Sequence, residues 1–146
     1  MSQRSRAREV VFQVLYQDDL NPAARPSDRD EFLRQRLRGT LIPFAQELVR
    51  GVRQNRPEID EKLAAAAEHW SLSRMAATDR NILRLGAYEI LYADTPDRVA
   101  IDEALELAKC YGTAQSARFV NGVLDRVMHQ KSTVDPQPSA PPPPSP

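Results

Sequence analysis

Apolar residues recur along most of the chain at intervals of three and four, and no stretch alternates with period two for long enough to form a strand. The pattern predicts an all-α protein of about seven helices. The first, from about Arg4 to Leu20, places Ala7, Val11, Val14 and Leu15 on one face, while Arg4 and Arg8 share a polar face. Asn21, Pro22 and Pro26 end it. Ser27 followed by Asp30 reads as a capping box for a short second helix that stops near Gly39. Leu41, Phe44, Ala45, Leu48, Val49 and Val52 form a third stripe, with Pro43 tolerated in its first turn.

Asn55 and Pro57 punctuate the next start, and Ile59, Leu63, Ala67 and Trp70 form the narrow apolar edge of a fourth helix. The segment from Asp79 to Tyr92 is apolar on almost every side, which marks it as the buried central helix. Pro96 marks a turn, Ile101, Ala104, Leu105 and Ala108 a further amphipathic helix, and Gly112 its left-handed C-terminal cap. A last helix, roughly Ala114 to His129, carries Val120, Val123, Leu124 and Val127. Short connections between these segments imply a compact bundle, readable as two sub-bundles sharing the central helix. Residues 1–130 thus form one helical domain. The remainder, 131–146, turns to Ser, Gln and Pro and is expected to be a disordered tail, since it buries too little apolar surface to offset its ordering entropy.

A chain of 146 residues is long enough to build one core without staples. The lone Cys110 allows no internal disulfide and no cysteine cluster for zinc, and reads as a small core residue of a protein from a reducing compartment. No signal-peptide run and no apolar stretch of spanning length is present, so a cytoplasmic location is expected. The formal charge of zero hides an asymmetry: residues 1–57 carry 11 Arg and 7 acids, and the rest carries 9 basic and 13 acidic residues. A polyanion is drawn to the first part.

Catalysis needs a base beside a nucleophile, a ligand cluster or a phosphate loop, and none is visible. His69 and His129 lack helical-spacing partners, and the five glycines occur singly. Asp102, Glu103 and Glu106 fit the first turns of a helix, where the dipole favours acids. No cofactor or metal is called for. What remains is a binding surface. Arg4, Arg6 and Arg8 stand together at the start of the first helix, suited to phosphate oxygens, although the same spacing fits a solvated polar face. Arg118, Phe119 and Asn121 offer a cation, a ring for stacking an unpaired base and an amide for a base edge, although Phe119 also fits a core position.

Four segments in order carry a family resemblance. Residues 6–17, Arg-Ala-Arg-Glu-Val-Val-Phe-Gln-Val-Leu-Tyr-Gln, resemble the opening helix of the NusB family, and residues 79–92 resemble its central helix. Residues 99–109, Val-Ala-Ile-Asp-Glu-Ala-Leu-Glu-Leu-Ala-Lys, and 118–125, Arg-Phe-Val-Asn-Gly-Val-Leu-Asp, complete the pattern, which spans about residues 4–130. The resemblance implies two helical sub-bundles and a non-enzymatic role in bacterial transcription antitermination, chiefly of ribosomal RNA operons. It implies binding of boxA RNA together with the ribosomal protein NusE, within an antitermination complex on RNA polymerase. It assigns RNA contact to Arg4, Arg6, Arg8 and Phe119, and partner contact to Tyr16 and Asp79. Members occur as monomers or homodimers, so a homodimer is among the implied states.

Three departures qualify the match. Ser5 interrupts the arginine run, Gln115 stands where some members carry an acid beside the RNA, and Asp102 stands where Asn is common. Loss of an acid at Gln115 relieves repulsion of phosphate. The competing reading is a helical protein-interaction module without RNA contact. An enzymatic reading, raised by the related domain of ribosomal RNA cytosine methyltransferases, finds no methyltransferase half in this sequence.

Overall fold

The computed structural model describes residues 2–23 and 25–134, so the expected tail lies outside the described residues except for 131–134, which continue the last helix. Seven α-helices and one 3-10 turn, and no strand, occur among the described residues. α1 (Gln3–Leu20), α2 (Pro26–Arg36) and α3 (Leu41–Gln54) form one group, and α4 (Arg56–Ala67), α5 (Ala77–Tyr92), α6 (Asp97–Tyr111) and α7 (Ser116–Val134) the other. α5 packs on α1 and α3 of the first group and on α4, α6 and α7 of the second, as the central helix expected from its apolar periphery.

Burial follows the sequence stripes closely. Ala7, Val10, Val11, Val14 and Leu15 of α1 face inward at i, i+3, i+4, i+7 and i+8, into one core that also contains Ile82, Leu83, Leu85 and Ile90 of α5. Ser2 caps α1 by accepting a bond from the Ser5 amide at 3.0 Å. Close helix approach rests on glycine: a Cβ on Gly51 of α3 would lie 2.2 Å from the Tyr88 ring of α5.

Polar links fix the two groups relative to each other. Asp19, near the end of α1, accepts bonds from Arg80 and Asn81 of α5, each at 2.8 Å. Arg84, one turn further along α5, approaches the same Asp19 at 3.5 Å and, within the second group, donates to Asp60 of α4 at 2.9 and 3.1 Å. Near the opposite ends of the two helices Arg8 of α1 meets Glu89 of α5, so α1 and α5 run antiparallel.

Local expectations fail where a competing contact is stronger. α2 begins at Pro26, whose fixed φ starts the helix before Ser27, and no side chain caps it; Asp30 instead accepts bonds from Arg34 and Gln46. Asn55 donates back to the Gly51 carbonyl at 2.8 Å rather than capping α4. Gly112 is extended, φ −95°, not left-handed: Ser116 closes that turn by accepting from the Thr113 amide at 2.9 Å. Cys110 is exposed, not a core residue. Trp70 leaves the α4 edge altogether, because α4 stops at Ala67 and Glu68 takes a positive φ of 55° that turns the chain outward.

Candidate nucleic-acid interface

The turn at Glu68 carries Trp70 across to α7, where its ring meets Phe119 edge-on, centroids 5.8 Å apart. Trp70 is 55% exposed and Phe119 half-buried, so the ring the sequence left open between core and surface is partly both. The segment is held in place from two sides. Arg80 donates to the carbonyls of Leu72 and Met75 at 2.8 and 3.0 Å, and Arg126 of α7 donates to the Ala66 carbonyl at 2.8 Å. Beside the ring pair lies a pocket of about 230 Å³ whose walls include Trp70, Arg74, Met75, Asp79, Gln115 and Phe119. Arg74, Arg118 and Asn121 are exposed, and neither arginine has a carboxylate partner among the described residues. An aromatic pair flanked by uncommitted cations suits an unpaired base and its phosphate.

The arginine-rich start of α1 is smaller than expected. Arg8 is only 4% exposed, and its Nε and Nη2 donate to the two Glu89 carboxylate oxygens at 2.8 and 2.9 Å. Burial opposes the guanidinium charge, but the hydrogen bonds and charge of Glu89 outweigh it and raise the Arg8 pKa. Arg8 is therefore a buried strut in this structure, not a phosphate-facing group. Arg4 is exposed, its guanidinium 4.5 Å from the centre of the Phe44 ring, and Arg6 is exposed but shared with Glu9 at 2.9 Å. Ser5 donates to Glu103 at 2.8 Å, which brings an acid against the same tip.

The two places do not form one compact patch. The Arg4 tip lies beyond the Glu89 end of α5 and Phe119 lies at its Asp79 end, an axial separation of roughly 20 Å at 1.5 Å per residue. A single nucleotide cannot touch both; an extended strand can.

Tyr16 occupies a different recess. It lines an open groove of about 460 Å³ with Phe12, Phe32, Arg36, Thr78 and Tyr111. Phe12 sits 4.9 Å from the Tyr111 ring and 6.0 Å from Tyr16. The Tyr111 hydroxyl donates to Glu9; burial and that bond push its pKa up to about 12, while the same bond lowers the Glu9 carboxyl. Thr78 and Asp79 are neighbours at the start of α5, yet Thr78 faces the tyrosine groove and Asp79 the Trp70–Phe119 pocket. The structure thus brings Asp79 together with Phe119 and Gln115, not with Tyr16.

Sequence reasoning missed Trp70 and Arg74 at this surface, because the outward turn at Glu68 leaves no compositional mark. Glu89 carried a usable signal: a carboxylate among the apolar residues of a buried helix requires a partner. Among the described residues no group of three or more His, Cys, Asp or Glu is placed to hold a metal, and no helix is long and apolar enough to cross a membrane.

Comparison with known proteins agrees with this architecture. The sequence profile of the NusB family matches residues 5–129. The transcription antitermination protein NusB of Pseudothermotoga lettingae is 42% identical over 128 residues, covering 87% of this chain and 91% of that protein. Its counterpart in Anaeromyxobacter dehalogenans is 44% identical over 128 residues, covering 86% and 90%. Among solved structures, NusB of T. maritima superposes with a TM-score of 0.79 at 36% identity, covering 87% of this chain and 91% of that one. A structure of the antitermination factors NusB and NusE in complex with double-stranded RNA matches with a TM-score of 0.79 at 28% identity, covering 89% and 98%. Nearly the whole described bundle lies within these matches, and the chain belongs to the NusB family.

Proposed function

We propose that the protein is a transcription antitermination factor that binds boxA RNA jointly with the ribosomal protein NusE and so joins an antitermination complex on RNA polymerase, promoting transcription of ribosomal RNA operons. It acts by binding, without catalysis. The observation that carries this reading is the likeness, over 89% of the chain, to a NusB seen with NusE and RNA. RNA is held at two places, by Arg4 and Arg6 through phosphate and at the far end of α5 by Phe119 with Arg118, Asn121 and Gln115. NusE docks on the groove lined by Tyr16, whose four aromatic rings and Arg36 offer anchors of the kind that dominate protein interfaces.

A titration of labelled boxA RNA, with and without NusE and against a scrambled sequence at several salt concentrations, tests the proposal. Tighter binding of boxA than of the scrambled strand, strengthened by NusE and weakened by salt, is expected. Association with NusE accompanied by equal affinity for both RNAs would leave only a protein-interaction module.

A further inference from the structure

A groove of about 580 Å³ lies beside the arginine tip, between the end of α5, the start of α6, α3 and the first turn of α1. Its walls include Phe44, Leu48, Tyr88, Tyr92, Pro96 and Val99. The Tyr88 and Tyr92 rings stack with centroids 5.5 Å apart, and Tyr92 and Val99 are two of the four large apolar side chains left exposed among the described residues. Exposed apolar groups gathered in one concave place mark a docking surface, where single scattered ones do not.

Charge and hydrogen bonding narrow the occupant. Glu47, Asp94 and Glu103 line the groove and oppose a phosphate chain laid along it. Arg4, at the rim, holds its guanidinium 4.5 Å from the centre of the Phe44 ring and has no carboxylate partner among the described residues, so its N–H donors are free for carbonyl oxygens. A polyproline II segment presents such oxygens, because it makes no internal hydrogen bonds, and aromatic-walled grooves are its usual receptors.

The chain carries a segment of this kind and delivers it to the groove. Residues 135–146, which lie outside the described residues, contain seven prolines and a single charge, Asp135, with proline-x-x-proline spacings from Pro138 to Pro141 and from Pro141 to Pro144. α7 starts beside the Asp79 end of α5 and reaches its other end, where Lys131 donates to the Ile90 carbonyl at 3.0 Å and to the Asp97 carboxylate at 2.9 and 3.0 Å. Asp97 belongs to the same first turns of α6 as Val99, so the segment departs within about one or two helix spacings, of roughly 8–10 Å each, from the groove. Twelve residues of polyproline II span about 37 Å, which is ample. The tether also supplies an effective concentration of millimolar order, enough to hold a weak ligand.

We propose that residues 135–146 dock within their own molecule, as a polyproline II segment in the groove of Phe44, Tyr88, Tyr92 and Val99. The segment cannot build a core by itself, and the groove supplies the apolar surface that it lacks. Docked there it covers Arg4, so tail and RNA compete for the arginine tip. The docking is independent of the RNA-binding reading, and only the competition rests on it.

The test uses the whole chain with Cys110→Ser and Ser145→Cys, a nitroxide on residue 145, and NMR relaxation of the backbone amides. The amides of Phe44, Tyr92 and Val99 are expected to broaden. Replacing Pro138, Pro141, Pro142 and Pro144 by Ser keeps the tether length and should remove most of that broadening. Tyr92→Ala and Val99→Ser, both at exposed positions, should do the same with the prolines intact. Equal broadening with the prolines present and replaced reports only nearness to the end of α7 and overturns the docking. Broadening that appears only when nitroxide-bearing and isotope-enriched copies are mixed puts the tail on a second molecule and overturns it as well. A tail that covers Arg4 about nine-tenths of the time lowers the apparent affinity for boxA RNA about tenfold, so the four-proline replacement should recover that factor. Unchanged boxA affinity with the broadening present overturns the competition. Failure of both forms to bind boxA overturns the RNA reading, while the broadening still supports the docking.

Discussion

Arg8 and Glu89, 81 positions apart in sequence, form a two-point ion pair buried between α1 and α5, with Thr95 donating a further bond to Glu89 at 2.7 Å. Removing one partner strands the other charge in the interior. Glu89→Gln or Arg8→Ala should therefore cost about 3–5 kcal/mol in chemical denaturation. The joint replacement Arg8→Met with Glu89→Leu should cost far less, because no unpaired charge remains. A stability loss under 1 kcal/mol for the single variants would contradict the strut role.

Arg4 and Arg6 are exposed at the tip of α1, where the proposed function makes them phosphate ligands. Replacing both by Ala should reduce the log–log salt slope of RNA binding by about 1.4, at roughly 0.7 per contact on a single strand. Arg6 is shared with Glu9, so the smaller part of that change should come from Arg6 alone. The measurement is a series of binding isotherms across salt concentration, and an unchanged slope would remove the tip from the interface.

Phe119 is half-exposed and touches Trp70 at one edge, so its role divides between packing and binding. Phe119→Ala should weaken RNA binding by about 1–3 kcal/mol through lost stacking. The thermal midpoint should fall by only a few degrees, since much of the ring is outside the core. A large fall in the midpoint with intact RNA affinity would assign the ring to packing.

Asp19 gives the fold an acid-sensitive joint. Burial alone would raise its carboxyl pKa, but bonds from Asn81 and Arg80, with the charges of Arg80 and Arg84, hold it below its ordinary value of 3.8. A carboxyl depressed on folding contributes stability that is full above its unfolded pKa and is lost as pH falls through the folded one. The thermal midpoint should thus drop as the solution is taken below about pH 4. Asp19→Asn should lower the midpoint at neutral pH, by roughly 2 kcal/mol of stability or more, and flatten the acid limb of the profile.

The intervals between apolar residues were sufficient to determine seven helices, the buried status of α5 and the inward faces of α1, α3, α6 and α7, because burial of one stripe per helix is a local property of spacing. The four ordered segments likewise made the family legible without coordinates. Tertiary structure alone decided which charges are available. Arg4 and Arg8 sit one helical turn apart on α1, yet one faces solvent and the other meets a carboxylate that the chain supplies 81 residues later. It also decided that Trp70 leaves the core and that Asp79 joins Phe119 rather than Tyr16. Those outcomes depend on the direction in which a turn sends the chain and on which helices become neighbours. Such relations arise between distant residues, and the periodicity of a single segment holds no record of them.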